Sequence, residues 1–357
     1  MKIDPRIKIL YLVLVSLLAF TLGNTPAYCL LAVQALIWAV TRTPLKEARY
    51  LRRAITFILL VLIFYAFFSG NREFELFKIY DINLKISISG LLEGLRMCLR
   101  FVTVLAASII VRCGTSRQEF IEGLTGLKLP RTSAILFDLT LAYLEGKDKA
   151  GEGEERGNKK RGGNLVLKRL LKGELSVLIE MINSRMAAAK ELIADSDLAI
   201  IFGLTIVVVS VRFLKVAEGF PLAPGHKNLV IVPCLIAAAS LTRTRFAATQ
   251  IGFVSGIINF LSGSGRFGVF DVLQSMTPGL TVDLMIGLTR WSRSIFVYGL
   301  IGLVAGLARV ATVLVLSLLF RMPAEYFALL TIPAFFQCMF GALSAPISKY
   351  LVKNIKI

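Results

Sequence analysis

The sequence is poor in the side chains that build most catalytic and metal centres. Histidine occurs once, as His226, and no cluster of histidine, cysteine and carboxylate side chains stands out, which argues against a high-affinity cobalt or nickel site. There is no Walker A sequence, so we do not expect the chain to hydrolyse ATP by itself. The cysteines have neither disulfide nor metal-ligand spacing; they are Cys29, Cys98, Cys113, Cys234 and Cys338. We therefore expect no catalytic residues, no bound metal and no enzymatic activity in this chain.

Apolar sequence is what the chain has in abundance. Hydrophobic residues make up 56% of its 357 residues, and the mean hydropathy is +0.72. Runs of about 20 such residues are long enough to cross a hydrocarbon core of about 30 Å. The composition therefore predicts an all-α, polytopic integral membrane protein. The net charge of +18 is then explained by basic residues that fix orientation in the bilayer, and it does not indicate nucleic-acid binding.

Successive apolar runs predict about ten transmembrane helices. They lie at about residues 7–23, 27–41, 54–69, 88–111, 197–214, 228–241, 246–263, 269–288, 294–320 and 325–346. When the N-terminus is placed in the cytoplasm, lysine and arginine concentrate in the cytoplasmic loops, as the positive-inside rule expects. This asymmetry predicts a multi-pass protein of the cell (inner) membrane with both termini in the cytoplasm.

A strongly charged segment, from Gly146 to Lys172, interrupts the apolar runs. It is too polar to enter the bilayer, and the same charge asymmetry places it in the cytoplasm. The flanking residues 116–129 and 165–193 carry apolar side chains at helical spacing, which predicts helices lying along the membrane surface. A disordered charged linker is the alternative for residues 146–163.

Several short motifs follow one another in the first part of the chain. They are Asp4-Pro5-Arg6-Ile7-Lys8, Gly90-Leu-Leu-Glu-Gly-Leu-Arg96 continuing to Arg100, Thr115-Ser116 with Glu119-Phe120, and Leu127-Lys-Leu-Pro130. In this order they resemble the transmembrane T component of energy-coupling factor importers, which are ABC-type importers, over about residues 1–215. The resemblance implies a T-component-like domain at residues 1–215 with a cytoplasmic coupling region at residues 113–196. It also implies two cytoplasmic ATPase partners that use ATP, and a small substrate-capturing S component, while this chain itself binds no cofactor.

The resemblance further implies two motifs for coupling to the ATPases, each similar to Ala-Arg-Gly. The first would be Glu155-Arg156-Gly157, with Lys160-Arg161-Gly162 as a competing placement. The second should precede the fifth span, where the chain has Ala194-Asp195-Ser196. Asp195 reverses the charge of the expected arginine, whose forked guanidinium suits a carboxylate partner. Either Arg185, about three turns earlier, replaces it, or the partner ATPase has changed, or coupling has weakened.

The second part of the chain, residues 216–357, adds five further spans. Pro221-Leu-Ala-Pro224-Gly225 and Pro278-Gly279-Leu280 leading to Asp283 resemble, more loosely, an S component of the same importers. Small residues spaced for close helix packing are Ala199 and Gly203, Gly252 and Gly256, and Gly302 and Gly306. We predict an S-component-like bundle that captures substrate. A bundle that only stabilises the complex is the alternative, with the S component then a separate chain.

Ionisable residues within predicted spans are candidates for function, because burying them in a bilayer is costly. Arg309 is expected to pair with Asp271 or Asp283, which would offset that cost. A ligand pocket closed by residues 216–227 is the alternative. The predicted substrate-binding residues are Arg266, Asp271, Gln274, Asp283 and Arg309.

The sequence thus predicts a membrane transport subunit that couples ATP hydrolysis by partner ATPases to uptake of a small molecule. A vitamin-like ligand suits an apolar pocket with few polar groups, and the scarcity of metal ligands argues against the metal-importing branch of the family. An ion-coupled secondary transporter without ATPase partners is the alternative. That class is expected to show inverted repeats, and no convincing repeat is found in the sequence.

Overall fold

The computed structural model describes residues 4–41, 74–79, 82–127, 131–150, 196–213, 225–262, 269–289, 294–319 and 324–355, together with 55, 58–59, 61–63 and 65–67. Contacts between residues divide the chain into two units. Unit 1 comprises Met1–Lys128, Gly263–Asp271 and Val313–Thr331, and unit 2 comprises Leu129–Ser262, Val272–Thr312 and Ile332–Ile357. The two units are defined by contacts alone. The boundary near residue 215 between the T-component-like and S-component-like parts remains a prediction.

Helices make up nearly all of the regular structure in the described residues, as predicted. They are α1 (Pro5–Thr21), α2 (Asn24–Val40), α3 (Ile88–Cys113), α4 (Arg117–Gly126), α5 (Arg131–Ala150), α6 (Ser196–Phe213), α7 (Asn228–Leu241), α8 (Ala247–Leu261), α9 (Phe270–Leu288), α10 (Ile295–Leu319), α11 (Ala324–Leu343) and α12 (Ala345–Asn354).

One β-hairpin departs from the predicted all-α fold. Strands β1 (Phe74–Ile79) and β2 (Ile82–Ile86) pair antiparallel, with Phe74 opposite Ile86 and an irregularity between Glu75 and Phe77. The hairpin lies in the predicted outer loop between the third and fourth spans. Apolar and polar residues alternate over much of this segment, a period of two that is typical of strands and that an analysis of long apolar runs overlooks.

Three segments of the described residues are long and apolar enough to cross a membrane. They are Ile88–Cys113, Ile295–Leu319 and Leu330–Asn354. Shorter apolar helices accompany them, among them Asn228–Leu241 and Ala247–Leu261. These helices support a membrane location, and the count of ten spans remains a prediction.

The exposed surfaces of several helices are apolar. Along α1, Leu10, Leu14 and Leu17 are exposed while Leu12 and Val15 are buried, so apolar residues lie on both faces of the helix. In α10, Phe296 is 85% exposed. A helix that is apolar on its outer face as well as its inner face is typical of contact with lipid.

Unit 1 contains α1, α2 and α3, which pack against one another. Phe20, Phe101 and Val104 belong to its buried core, and Phe270 contributes a ring whose centroid lies 6.0 Å from that of Phe20. Arg100 is only 6% exposed, and its Nη2 donates a hydrogen bond of 3.1 Å to the carbonyl oxygen of Leu22, the residue that caps α1. The guanidinium therefore lies at the negative end of the α1 dipole.

Unit 2 contains α6, α7 and α8, which pack together, with α5 against α6 and α8 and with α12 against α7. Glycines bring its helices close. A Cβ added to Gly252 would lie 2.5 Å from the carbonyl oxygen of Ser275, and one added to Gly306 would lie 2.7 Å from that of Gln337. Gly302 and Gly341 face each other in the same way. In α6, Ala199 and Gly203 are buried. Backbone atoms can approach this closely only where side chains are absent.

Candidate functional site

The main candidate site is a pocket in unit 2 to which five helices contribute, α6 to α10. Its polar lining consists of Arg212, Asn228, Gln274, Ser275 and Arg309. Its apolar lining includes Val208, Ile231, Val232, Leu235 and Ala305. The pocket has about 360 Å³ of unfilled space, part of it open, and the enclosed part has room for about one water molecule.

Hydrogen bonds hold the polar side chains of the pocket in place. Nη1 of Arg309 donates to Oδ1 of Asn228 at 3.0 Å, and Nδ2 of Asn228 donates to the carbonyl oxygen of Gln337 at 3.5 Å. Nη1 of Arg212 donates to Oγ of Ser275. A third basic residue joins them, because Nζ of Lys227 donates to the carbonyl oxygen of Arg212 at 2.9 Å.

The pKa of Lys227 reflects the positive charge of this region. Burial lowers the pKa of its ammonium group below the ordinary value, and the positive charges of Arg212 and Arg309 lower that pKa further. Burial and like charges both disfavour the protonated form of a lysine. Three basic side chains are therefore close enough to influence one another.

Local sequence explains how these residues converge. Residues 225–227 form a turn that leads into α7, and Gly225 has a φ of 96°, a left-handed conformation that glycine adopts without strain. Gly225 also lies against the backbone of Gln337. Gly252 allows α8 to approach α9 at Ser275, and Pro278 lies one turn further along α9.

Two of the predicted substrate-binding residues, Gln274 and Arg309, line this pocket. Asp283 lies elsewhere and caps α8. Its carboxylate accepts hydrogen bonds from the amides of Ala248, at 3.1 Å, and Thr249, at 2.7 Å, and from the Thr249 hydroxyl at 2.6 Å. The expected pairing of Arg309 with Asp283 is therefore wrong, because α8 needs a cap that its own N-terminal residue Phe246 does not supply.

The remaining predicted residues fall in other parts of the chain. Asp271 is buried and belongs to unit 1. Arg266 and residues 216–224 of the predicted closing loop lie outside the described residues. So do the predicted coupling residues Glu155, Arg156, Gly157, Arg185, Ala194 and Asp195, together with the competing Lys160, Arg161 and Gly162, whereas Ser196 begins α6.

Sequence reasoning missed four polar residues at or beside the pocket. They are Arg212, Lys227, Asn228 and Ser275. A signal for Arg212 was present, because it lies inside the apolar run 197–214, where a charged residue is costly. The others stand at or near ends of apolar runs or are small and uncharged, so their sequence positions are unremarkable.

A second cluster, in unit 1, joins motifs that are far apart in the sequence. Nζ of Lys8 lies 2.9 Å from Oε2 of Glu119 and donates to the carbonyl oxygen of Gly114 at 2.6 Å. Ser116 and Glu119 form a capping box that starts α4. A Cβ at Gly123 would lie 3.1 Å from Cβ of Pro5, so α4 packs closely on the start of α1. The α4 segment is thus fixed to the first helix.

Residues 1–144 match the family model of CbiQ, described as cobalt transport protein. The matched segment contains the motifs of the α1–α4 cluster and ends within α5. The match supports the resemblance of this segment to a T component. Comparisons with curated proteins and with solved structures found no match. Within the part of the chain that the structure describes, no group of three or more histidine, cysteine or acidic residues is arranged to hold a metal ion.

Proposed function

We propose that this chain is the T component of an energy-coupling factor importer, with a substrate-capturing bundle in the same polypeptide. The observation that carries this proposal is the family match over residues 1–144, which includes the Lys8–Glu119 cluster. Matched members are described as transport proteins, which favours a transport subunit over an enzyme. The energy would come from two cytoplasmic ATPases, since the chain has no Walker A sequence.

Coupling is assigned to residues 113–196. In this proposal, ATP-driven closure of the two ATPases moves the surface helices of this region, and the surface helices tilt the bundle that holds the substrate. The capping box and the Lys8–Glu119 pair support this proposal because they tie α4, at the start of the coupling region, to the first helix. A rigid link of this kind would transmit motion from one element to the next.

Substrate capture is assigned to the bundle behind the coupling region. The pocket of unit 2 supports this assignment because it combines an apolar lining with a few oriented polar groups, which is typical of sites for small organic molecules. A vitamin-like molecule is the proposed class of substrate. A separate S component is expected only if the bundle has no ligand of its own.

Affinity purification of the chain in mild detergent, followed by mass spectrometry, tests the proposal. We expect two ABC ATPase subunits to be recovered with the chain, together with a small organic molecule. Recovery of the ATPases with an additional small membrane subunit and no ligand would indicate a T component that associates with a separate S component. A retained ligand in the repeated absence of ATPases would contradict the proposal and favour an ion-coupled secondary transporter.

Charge reversal tests the coupling residues. Arg156→Glu and Arg185→Glu should each reduce recovery of the ATPases, because an arginine in a groove that contains a carboxylate becomes a repelling charge. Arg161→Glu tests the competing motif. Arg243→Glu is a matched control, because this exposed arginine lies in a predicted cytoplasmic loop outside the coupling region. Unchanged recovery in all three test variants would remove the assignment of these residues to coupling.

A further inference from the structure

One end of unit 2 combines exposed basic and aromatic side chains. Residues 242–246 form the turn that joins α7 to α8, and α12 packs against α7. The turn and α12 together carry five such residues, which we call the basic end: Arg245, Phe246, Lys349, Tyr350 and Lys353. Phe246 is 52% exposed and Tyr350 is 37% exposed. We propose that the basic end binds the headgroups of anionic phospholipids, an interaction that goes beyond the proposed function.

The turn and the lysines of α12 lie at the same end of the unit. Nδ2 of Asn228, the first residue of α7, donates to the carbonyl oxygen of Gln337 in α11 at 3.5 Å, which sets a common level for the two helices. From that level the chain runs as far to Tyr350 as α7 runs to its last residue, Leu241. Because α12 follows α11 directly and packs on α7, its second half reaches the level of the turn.

Polar contacts hold the turn in one conformation. Oδ2 of Asp197 accepts a hydrogen bond from the amide of Arg243 at 2.8 Å. Nε2 of Gln250 donates to the carbonyl oxygen of Arg245 at 3.4 Å. Phe246 has a φ of 59° and a ψ of 37°, a left-handed conformation that is strained for an aromatic residue and that persists only where the surroundings fix it. The turn therefore presents Arg245 and Phe246 in a fixed arrangement, which reduces the ordering cost of binding.

The basic end keeps its positive charge. Asp283 accepts hydrogen bonds from the amides at the start of α8, and the positive end of that helix dipole offsets its charge. Asp197 lies next to Arg243 and offsets the charge of that arginine, so Arg243 is not assigned to the site. Within the part of the chain that the structure describes, no ion pair involves the three basic residues of the basic end. Three exposed positive charges at one end of a membrane bundle suit an anionic surface.

The lengths of the helices place the basic end at the depth of the lipid headgroups. α7 has 14 residues and α8 has 15, so each is about 20 Å long, whereas the hydrocarbon core is about 30 Å thick. A turn between apolar helices this short stays at the boundary of the bilayer. Lys349, Tyr350 and Lys353 lie in the last turns of Leu330–Asn354, a segment long enough to cross a membrane. The predicted topology places this boundary on the cytoplasmic side.

The residue types of the basic end match a phospholipid headgroup. The guanidinium of Arg245 presents parallel donors that suit a phosphate, and the two lysines add point charges. Phe246 and Tyr350 add aromatic rings, and tyrosine in particular is enriched where a protein meets the membrane interface. An acidic protein surface would match the same charges, but it would need a turn that projects from the bilayer, which the short α7 and α8 do not provide.

Lipid titration of the purified full-length chain in detergent, followed by native mass spectrometry, tests the proposal. Phosphatidylglycerol, phosphatidylcholine with the same acyl chains, glycerol 3-phosphate and a polyglutamate peptide are compared at constant ionic strength. We expect phosphatidylglycerol to bind at least about fivefold more tightly than phosphatidylcholine and to raise the unfolding temperature. Equal binding of the two lipids would overturn the proposal. So would glycerol 3-phosphate that binds as tightly as phosphatidylglycerol, which indicates a site for free phosphate, or polyglutamate that binds more tightly, which indicates a protein-binding surface.

Variants locate the lipid site. Arg245→Gln and Lys353→Gln should each weaken phosphatidylglycerol binding by about fivefold, the effect of one basic residue at an anionic surface. Arg245→Lys keeps the charge and should retain most of the affinity. Arg96→Gln, which changes an exposed arginine of α3 in unit 1, should leave the affinity unchanged. Binding like that of the parent chain in both glutamine variants would remove the site.

Phe246→Gly separates a role in binding from a role in folding. Glycine adopts the left-handed conformation without strain, so the unfolding temperature in detergent without added lipid should stay the same or rise. Loss of the exposed ring should nevertheless weaken phosphatidylglycerol binding. Unchanged affinity in this variant would exclude Phe246 from the site. These measurements use no ATPase, so their outcome is independent of the proposed function.

Discussion

Lys8 and Glu119 are 111 residues apart in the sequence, yet Nζ of the lysine lies 2.9 Å from Oε2 of the glutamate. Glu119 makes a second interaction, because the same oxygen accepts a hydrogen bond from the amide of Ser116 at 3.3 Å. One carboxylate thus starts α4 and ties it to α1. The two side chains are 17% and 36% exposed, so the charge pair itself is only modestly stabilising.

Each partner of this pair has a further interaction that its removal also abolishes. Lys8→Ala should lower the free energy of unfolding by about 0.2–1 kcal/mol for the partly exposed pair and by about 0.5–1.5 kcal/mol for the lost hydrogen bond to the carbonyl oxygen of Gly114. Glu119→Ala loses the pair and the capping box, and the loss of the capping box adds about 1 kcal/mol. Thermal unfolding of the purified chain measures both, and Glu119→Gln, which removes the charge and keeps an oxygen acceptor, separates charge from capping. Equal losses in Glu119→Ala and Glu119→Gln would show that the capping role of Glu119 is negligible.

Close packing of α10 against α11 predicts intolerance of added side chains. In Gly302→Ala the new Cβ would lie 2.7 Å from the carbonyl carbon of Gly341, so the two backbones must separate. We expect a loss of about 1–3 kcal/mol or more in the free energy of unfolding. Gly287→Ala is the matched control, since nothing lies within 4 Å of its added Cβ, and it should be neutral or slightly stabilising. Similar unfolding temperatures for both variants would contradict this packing.

The capping role of Asp283 predicts an effect on stability. Asp283→Ala removes three hydrogen bonds at the start of α8, and we expect a loss of about 1–3 kcal/mol in the free energy of unfolding. Asp283→Asn keeps one oxygen acceptor and should lose less. Thermal unfolding of the purified chain measures both losses. An unfolding temperature of Asp283→Ala equal to that of the parent chain would contradict the capping role.

Lys227 predicts a pH dependence of stability. Its pKa is lowered in the folded protein by burial and by Arg212 and Arg309, whereas in the unfolded chain that pKa returns to its ordinary value. Between these two pKa values the unfolded chain binds more protons, so the contribution of Lys227 to the free energy of unfolding should become more favourable as the pH rises through this range. Thermal unfolding of the purified chain at a series of alkaline pH values measures this.

Two variants control the pH experiment. Lys227→Gln should remove this contribution to the alkaline change in stability. Arg243→Gln, which changes an exposed arginine of the same unit, should leave it in place. The same alkaline dependence in Lys227→Gln and in the parent chain would exclude Lys227 as its cause.

Long apolar runs predicted the helices well because the pattern is local. The runs 88–111 and 294–320 correspond to α3 and α10, which are long and predominantly apolar in the sequence although each contains charged residues. The β-hairpin was missed because its signal is a short alternation within a loop. The motifs near Lys8 and Glu119 were recognised separately, and their contact depends on the packing of α4 on α1, which no local pattern contains.

The sequence by itself determined a predominantly helical chain with apolar, membrane-type helices. In an apolar environment a helix provides hydrogen bonds for its own backbone N–H and C=O groups, so long apolar runs predict helices directly. It also marked Arg309 and Gln274 as candidates. Only the tertiary structure decided that Asp283 caps α8 and that Arg212, Asn228 and Ser275 join Arg309 at one pocket. The reason is physical: which side chains meet depends on the rotation and approach of several helices, set by glycine contacts spread over the whole unit.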